Sequence, residues 1–125
     1  MTRKEIAEKY IELLSTGDTE RIIGLFAKNG KVHSPIYGEQ FSTTFYKELN
    51  NDTLNSELQV KEIFENSETN TLALYFEYQW TVRSGKKVTF DVVDIIEFND
   101  QNKILDLRII YDTAVSRILV EELKE

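Results

Sequence analysis

Apolar residues recur at helical spacing near the start of the chain and at every second position through much of its second half. Ile6, Ala7, Tyr10, Ile11, Leu13 and Leu14 share one face of a predicted helix. Ahead of them, Thr2-Arg3-Lys4-Glu5 has the form of a capping box: the threonine hydroxyl takes a free amide of the first turn and the glutamate reaches back. Gly17 supplies a left-handed stop. Asp18 is placed to cap a second, shorter helix carrying Ile22, Ile23, Leu25 and Phe26, so a helical hairpin follows. Asn29-Gly30 reads as a turn. Lys31–Ser34 reads as a short strand ended by Pro35, and Gly38 as a bend. Ser42 is placed to cap a third helix through Phe45, Tyr46 and Leu49, which Asn50-Asn51-Asp52 would end.

From about Glu57 the period changes to two. Strands are predicted over Glu57–Asn66, Asn70–Arg83, Lys86–Phe98 and Lys103–Tyr111. Ser84-Gly85 and Asn99-Asp100-Gln101-Asn102 are short connections, which makes the strands they join antiparallel neighbours. Val115, Ile118, Leu119 and Leu123 predict a C-terminal helix over Ala114–Lys124, capped by Asp112 or Thr113. Helices followed by long strands give an α+β class. Strands longer than the usual five or six residues should coil, giving a cone-shaped antiparallel sheet wrapped around the N-terminal helices, with a pocket at its open end. The C-terminal helix either closes that mouth or extends a dimer. Residues 1–125 are expected to form one domain.

Strand parity also carries the chemistry. Leu72, Leu74, Phe76, Tyr78, Trp80 and Val82 share one face of the second long strand, and all are apolar or aromatic. The next strand repeats the pattern with Val88, Phe90, Val92, Asp94, Ile96 and Phe98, so one carboxylate sits within an apolar row. Such a group must find a partner or raise its pKa. It is therefore either a structural acid bonded within the core or a protonated donor facing a ligand. Tyr10, between Ile6 and Leu14 on the first helix, is either a core residue with a satisfied hydroxyl or a second donor facing Asp94. Two such donors converging on one point have the form of an oxyanion hole.

Composition removes several classes of function. The chain carries 22 acidic and 15 basic residues, a net charge of −7, and no local Lys/Arg cluster, which argues against nucleic acid as a partner. There is no cysteine and one histidine, so thiol chemistry and His-rich metal sites are excluded. No Gly-rich phosphate loop occurs, and no cofactor is expected. No apolar run suits a signal peptide or a membrane span, and a soluble cytoplasmic protein is the expectation.

The run from Tyr10 through Gly17-Asp18, then Ile23-Gly-Leu25-Phe26-Ala27, then Val32-His33-Ser34-Pro35, resembles the first third of bacterial ketosteroid isomerases. Phe76-Glu77-Tyr78-Gln79, Val93-Asp94, Phe98 and Lys103-Ile104 continue the resemblance in order. The wider group is the nuclear-transport-factor-2-like superfamily (NTF2-like, cystatin-like in fold), which includes the SnoaL-like polyketide cyclases. The resemblance implies that Tyr10 and Asp94 take the places of the isomerases' oxyanion-hole tyrosine and neutral aspartic acid. Tyr46 resembles a pocket tyrosine of the same enzymes. Their general base, an Asp directly before a Pro, is replaced by Ser34, which has no useful basicity near neutral pH. His33 is adjacent, but strand neighbours point to opposite faces, so it should face away unless the pleat is irregular before Pro35.

The candidate site is thus Tyr10, Asp94 and Ser34 at the chemistry. Phe76, Tyr78, Trp80, Phe90, Val92 and Ile96 would line the ligand with Tyr37 and Tyr46. Three functions are compatible: an isomerase or cyclase acting on a small, largely apolar carbonyl compound, a non-catalytic binder of such a molecule, or a protein-interaction dimer. Apolar residues on the other sheet face, Tyr75, Val93, Ile95 and Ile110, together with the family resemblance, suggest a homodimer.

Overall fold

The protein, described over residues 1–125 as a computed structural model, opens with helix α1 (Arg3–Thr16). The capping box is formed in full, with Thr2 Oγ1 accepting from the Glu5 amide at 3.1 Å and Glu5 Oε1 accepting from the Thr2 amide at 2.8 Å. Gly17 ends the helix in the left-handed region, at φ 72°. The Asp18 carboxylate accepts from the Arg21 amide and starts α2 (Thr19–Ile23).

Leu25 and Phe26, expected in this helix, lie beyond its end. They leave it because β6 captures them: the Leu25 carbonyl accepts from the Ile104 amide at 3.0 Å. Strand β1 therefore runs Phe26–Ser34, and Asn29-Gly30 lies inside it rather than in a turn. The register against β6 slips between Phe26 and Lys31. Gly30 is required there because β1 passes so close to β6 that a Cβ would sit 2.9 Å from the Ile104 carbonyl oxygen. Gly38 opens a short strand, β2 (Gly38–Phe41), that the sequence did not reveal. Helix α3 (Ser42–Asp52) follows without a break. Because β2 runs straight into it, Phe41 occupies the cap position, and Ser42, expected to cap, is turned inward and buried.

Strands β3 (Thr53–Glu65), β4 (Thr71–Val82), β5 (Lys87–Phe98) and β6 (Ile104–Ile110) form an antiparallel meander. The full order is β2-β1-β6-β5-β4-β3. The sheet is not wholly antiparallel, since β1 lies parallel to β6. A long crossover through everything between them allows that pairing. Register slips after Val60 and at Glu97–Phe98 add bend and twist, as bulges do. The sheet curls over α1 and α3, whose Tyr10, Leu13, Phe45 and Tyr46 meet the inward rows of β4 and β5 in one core.

Helix α4 (Ala114–Glu122) starts beside Asp112, whose carboxylate accepts from the Ala114 amide at 3.0 Å, while Thr113 makes no side-chain cap. Arg117 donates to the Pro35 carbonyl at 2.8 Å, and Lys86 pairs with Glu122 at 3.0 Å. The helix thus bridges the β1–β2 loop and the β4–β5 hairpin across the open end of the sheet. Its own Leu119 and Val120 are buried.

Candidate functional site

On β5 the alternation places Asp94 inward, between Leu74 of β4 and Ile109 of β6. Its residue is 1% exposed, and Oδ1 is buried with no hydrogen-bond partner. Burial in this apolar surround pushes the carboxyl well above the usual carboxylate range. Neutral, it is a donor with spare acceptor capacity.

Tyr10 reaches the same region from α1. Its hydroxyl lies 2.8 Å from the Tyr46 hydroxyl, with the two rings edge to face at 73°. The Tyr46 ring is held in turn against Phe26 and Phe45. Burial raises the pKa of both tyrosines, and the nearby Asp94 carboxyl adds to it. Both hydroxyls therefore stay protonated. If Tyr46 donates to Tyr10, the Tyr10 proton is free to point at a ligand.

Tyr10, Ser34 and Asp94 line one cavity of about 40 Å³, and twelve of its fourteen lining residues are hydrophobic. Tyr37, Phe76, Tyr78, Trp80, Phe90 and Val92 line it as well. Tyr46 and Ile96, expected in the lining, are not: Tyr46 stands behind Tyr10, and Ile96 is packed in the core. The sequence reading missed Leu14, Phe45, Leu49, Ile109 and Tyr111. Parity did contain the signal for Ile109 and Tyr111, which alternate with the outward Ile110. Tyr111 stacks on Phe90 at 4.4 Å and 19°, and burial lifts its hydroxyl to about 12.

Several polar groups of the lining are turned away from the cavity. The Tyr37 hydroxyl donates to Asp52 at 2.7 Å and the Trp80 indole to Thr53 at 2.8 Å, while Tyr78 pairs with Ser56 at 2.7 Å. His33 lies on the outer sheet face, with Nε2 at 2.5 Å from Asp106 Oδ1 and Nδ1 at 3.7 Å from Glu39. Neighbour alternation before Pro35 is regular, and His33 does not reach the cavity.

A larger cleft of about 200 Å³ lies behind Leu14, Leu49 and Tyr78, which form a wall shared with the inner cavity. Its only titratable side chains are Tyr46 and Tyr78, and the rest of its polar lining is hydroxyls and amides such as Ser15, Asn50 and Asn55. Asp94 and Tyr10 open on the smaller cavity and not on this cleft.

The protein is thus a curved sheet closed on helices, with the buried Asp94 carboxyl lining an apolar cavity. Residues 7–107 match the SnoaL-like domain, and the chain belongs to that family, within the NTF2-like superfamily. Solved structures agree on the fold. SalBIII, an epoxide hydrolase/cyclase-like enzyme of pyran ring formation in the polyether salinomycin, superposes with a TM-score of 0.77 at 16% identity, covering 88% of this chain and 90% of its own. TerC, co-crystallised with polyporic acid, gives 0.79 at 18% identity over 95% and 98% of the two chains. An NTF2-like protein of unknown function from Cytophaga hutchinsonii gives 0.73 at 17% identity over 100% and 96%.

No helix is long and apolar enough to cross a membrane. No group of three or more His, Cys, Asp or Glu side chains is arranged to hold a metal ion.

Proposed function

We propose that this protein binds a small, largely apolar carbonyl or enol compound in the inner cavity, with Tyr10 and Asp94 donating hydrogen bonds to one oxygen of it. The observation that carries this reading is the Asp94 carboxyl, fully buried and unpartnered at Oδ1. A structural acid of the core would be bonded to a neighbour, since a buried polar group without a partner costs about 1–3 kcal/mol. Donors fixed in a water-poor site favour negative charge developing on the ligand oxygen. Ketosteroid isomerase-like or cyclase-like chemistry is the catalytic form of this reading. SalBIII, the epoxide hydrolase/cyclase-like enzyme of pyran ring formation, supports it as analogy of fold.

The non-catalytic form has its own support. No histidine and no carboxylate other than Asp94 lines the cavity, so the lining offers no separate general base. Its volume of about 40 Å³ is far below the roughly 300 Å³ of ordinary ligand pockets. A phenol-sized guest enters by displacing the stacked, partly buried rings of Phe90 and Tyr111. A pure protein-interaction role is less well supported, because a lone neutral acid has no use in a solid core. A homodimer across the outer face of β4–β6, in the cytoplasm, completes the proposal.

The test is phenol binding with a carboxyl titration by NMR. Asp94 is expected to titrate far above the carboxylate range. Tyr10→Phe and Asp94→Asn are each expected to weaken binding of a substituted phenol about tenfold. Titration of Asp94 near its ordinary value of about 4 would end this reading.

A further inference from the structure

Ser34 stands at the end of β1 on the inner face. His33 is opposite Arg108 in the parallel β1–β6 pairing, so one step further on Ser34 is beside Ile109, which pairs with Asp94 across β6–β5. Ser34, Ile109 and Asp94 thus form one row across three strands, and all three line the cavity. Two strand spacings, about 10 Å, separate the backbones of Ser34 and Asp94.

The Ser34 oxygen is already committed. It accepts from the Ile36 amide at 3.2 Å and the Tyr37 amide at 3.1 Å. A hydroxyl has two lone pairs and one proton, so only the donor remains. With the Tyr37, Tyr78 and Trp80 polar atoms bonded elsewhere, the donors left along the lining are Tyr10 with Asp94, Ser34, and the Tyr111 hydroxyl near Ser116 of α4. Of the last two, Ser34 is the one in the cross-strand row of Asp94.

We propose that Ser34 is the second anchor of the ligand site, donating to a second acceptor oxygen. The cavity then selects a flat apolar molecule with acceptors at opposite ends: an enol or phenol oxygen at Tyr10 and Asp94, and a carbonyl, quinone or nitro-type oxygen at Ser34. The inference rests on the reading of Tyr10 and Asp94 as the first anchor. It makes Ser34 a specificity-determining donor rather than a substitute base.

Two probes separate the anchors: 4-nitrophenol has an acceptor at its far end, and 4-(trifluoromethyl)phenol has none of comparable strength. In the full-length protein, Ser34→Ala is expected to weaken 4-nitrophenol about tenfold while moving the trifluoromethyl compound by less than about twofold. Ser34→Thr, which keeps the hydroxyl, restores 4-nitrophenol binding. In the unmutated protein the nitro stretch of bound 4-nitrophenol falls below its position in an apolar solvent, a readout independent of any variant. If both phenols bind, an absent nitro shift, or a Ser34→Ala effect equal on the two probes, overturns the second anchor and leaves the first standing. If neither phenol binds at millimolar concentration, the first anchor fails along with it.

Discussion

Burial pushes the Asp94 carboxyl well above the usual carboxylate range, so between its unfolded and folded pKa values the unfolded chain releases a proton that the folded chain keeps. The sign follows. The folded pKa is raised, so this group's contribution to stability is fully present below its unfolded value near 3.9. Above that it declines by up to about 1.4 kcal/mol per pH unit until Asp94 ionises in the fold. Asp94→Asn, nearly isosteric with the neutral acid, removes this dependence. Urea unfolding of the two proteins should nearly coincide at pH 4, with the variant gaining on the parent steadily toward pH 8. Parallel curves would mean that Asp94 titrates in the fold much as it does in the unfolded chain. The residue itself was legible in the sequence, because a carboxylate at an inward position of a period-two run stands out locally. The Tyr10–Tyr46 hydrogen bond was not, since it joins residues 36 positions apart on two helices.

At the scale of elements, β1 departs furthest from its sequence signals. Asn-Gly is a strong turn signal, yet here the glycine serves close approach: an added Cβ would meet the Phe26 ring at 2.8 Å and the Ile104 carbonyl oxygen at 2.9 Å. Gly30→Ala should therefore destabilise by about 1–3 kcal/mol through overpacking, read as a fall in melting temperature. An unchanged melting point would show that β1 can move off β6 without cost. The meander was easier to read. All four of its strands were predicted within four residues at either end, and the inward rows read for β4 and β5 hold most of their buried residues, because alternation is a property of the strand itself. β2 is four residues long with no buried position, which leaves no hydrophobic pattern to detect.

At the scale of the molecule, the outer face of the sheet sets the expected assembly. Tyr75, Val93 and Ile110 form a continuous row across β4, β5 and β6, with Ile110 51% exposed, and Ile95 lies in the row beside it. Val93→Glu combined with Ile110→Lys should convert the proposed dimer to a monomer in sedimentation velocity without loss of helix or sheet signal. A parent protein that sediments as a monomer at 100 µM would remove the dimer from the proposal. The cavity belongs to this scale too, since its lining comes from α1, α3 and four strands together with Tyr37 and Tyr111.

By itself the sequence determined what depends on near neighbours: the caps of α1 and α2, the change of period near Glu57, the α+β class, and the single acid in an apolar row. These follow from backbone geometry, which repeats within a few residues. The tertiary structure decided what depends on distant partners. It set β1 parallel to β6, laid α4 across the mouth, placed Tyr46 behind Tyr10, and left a cavity of about 40 Å³ rather than an open cone. It also showed that Ser34, read from the sequence as the place of a missing base, has its oxygen bound by two backbone amides and only its proton to offer.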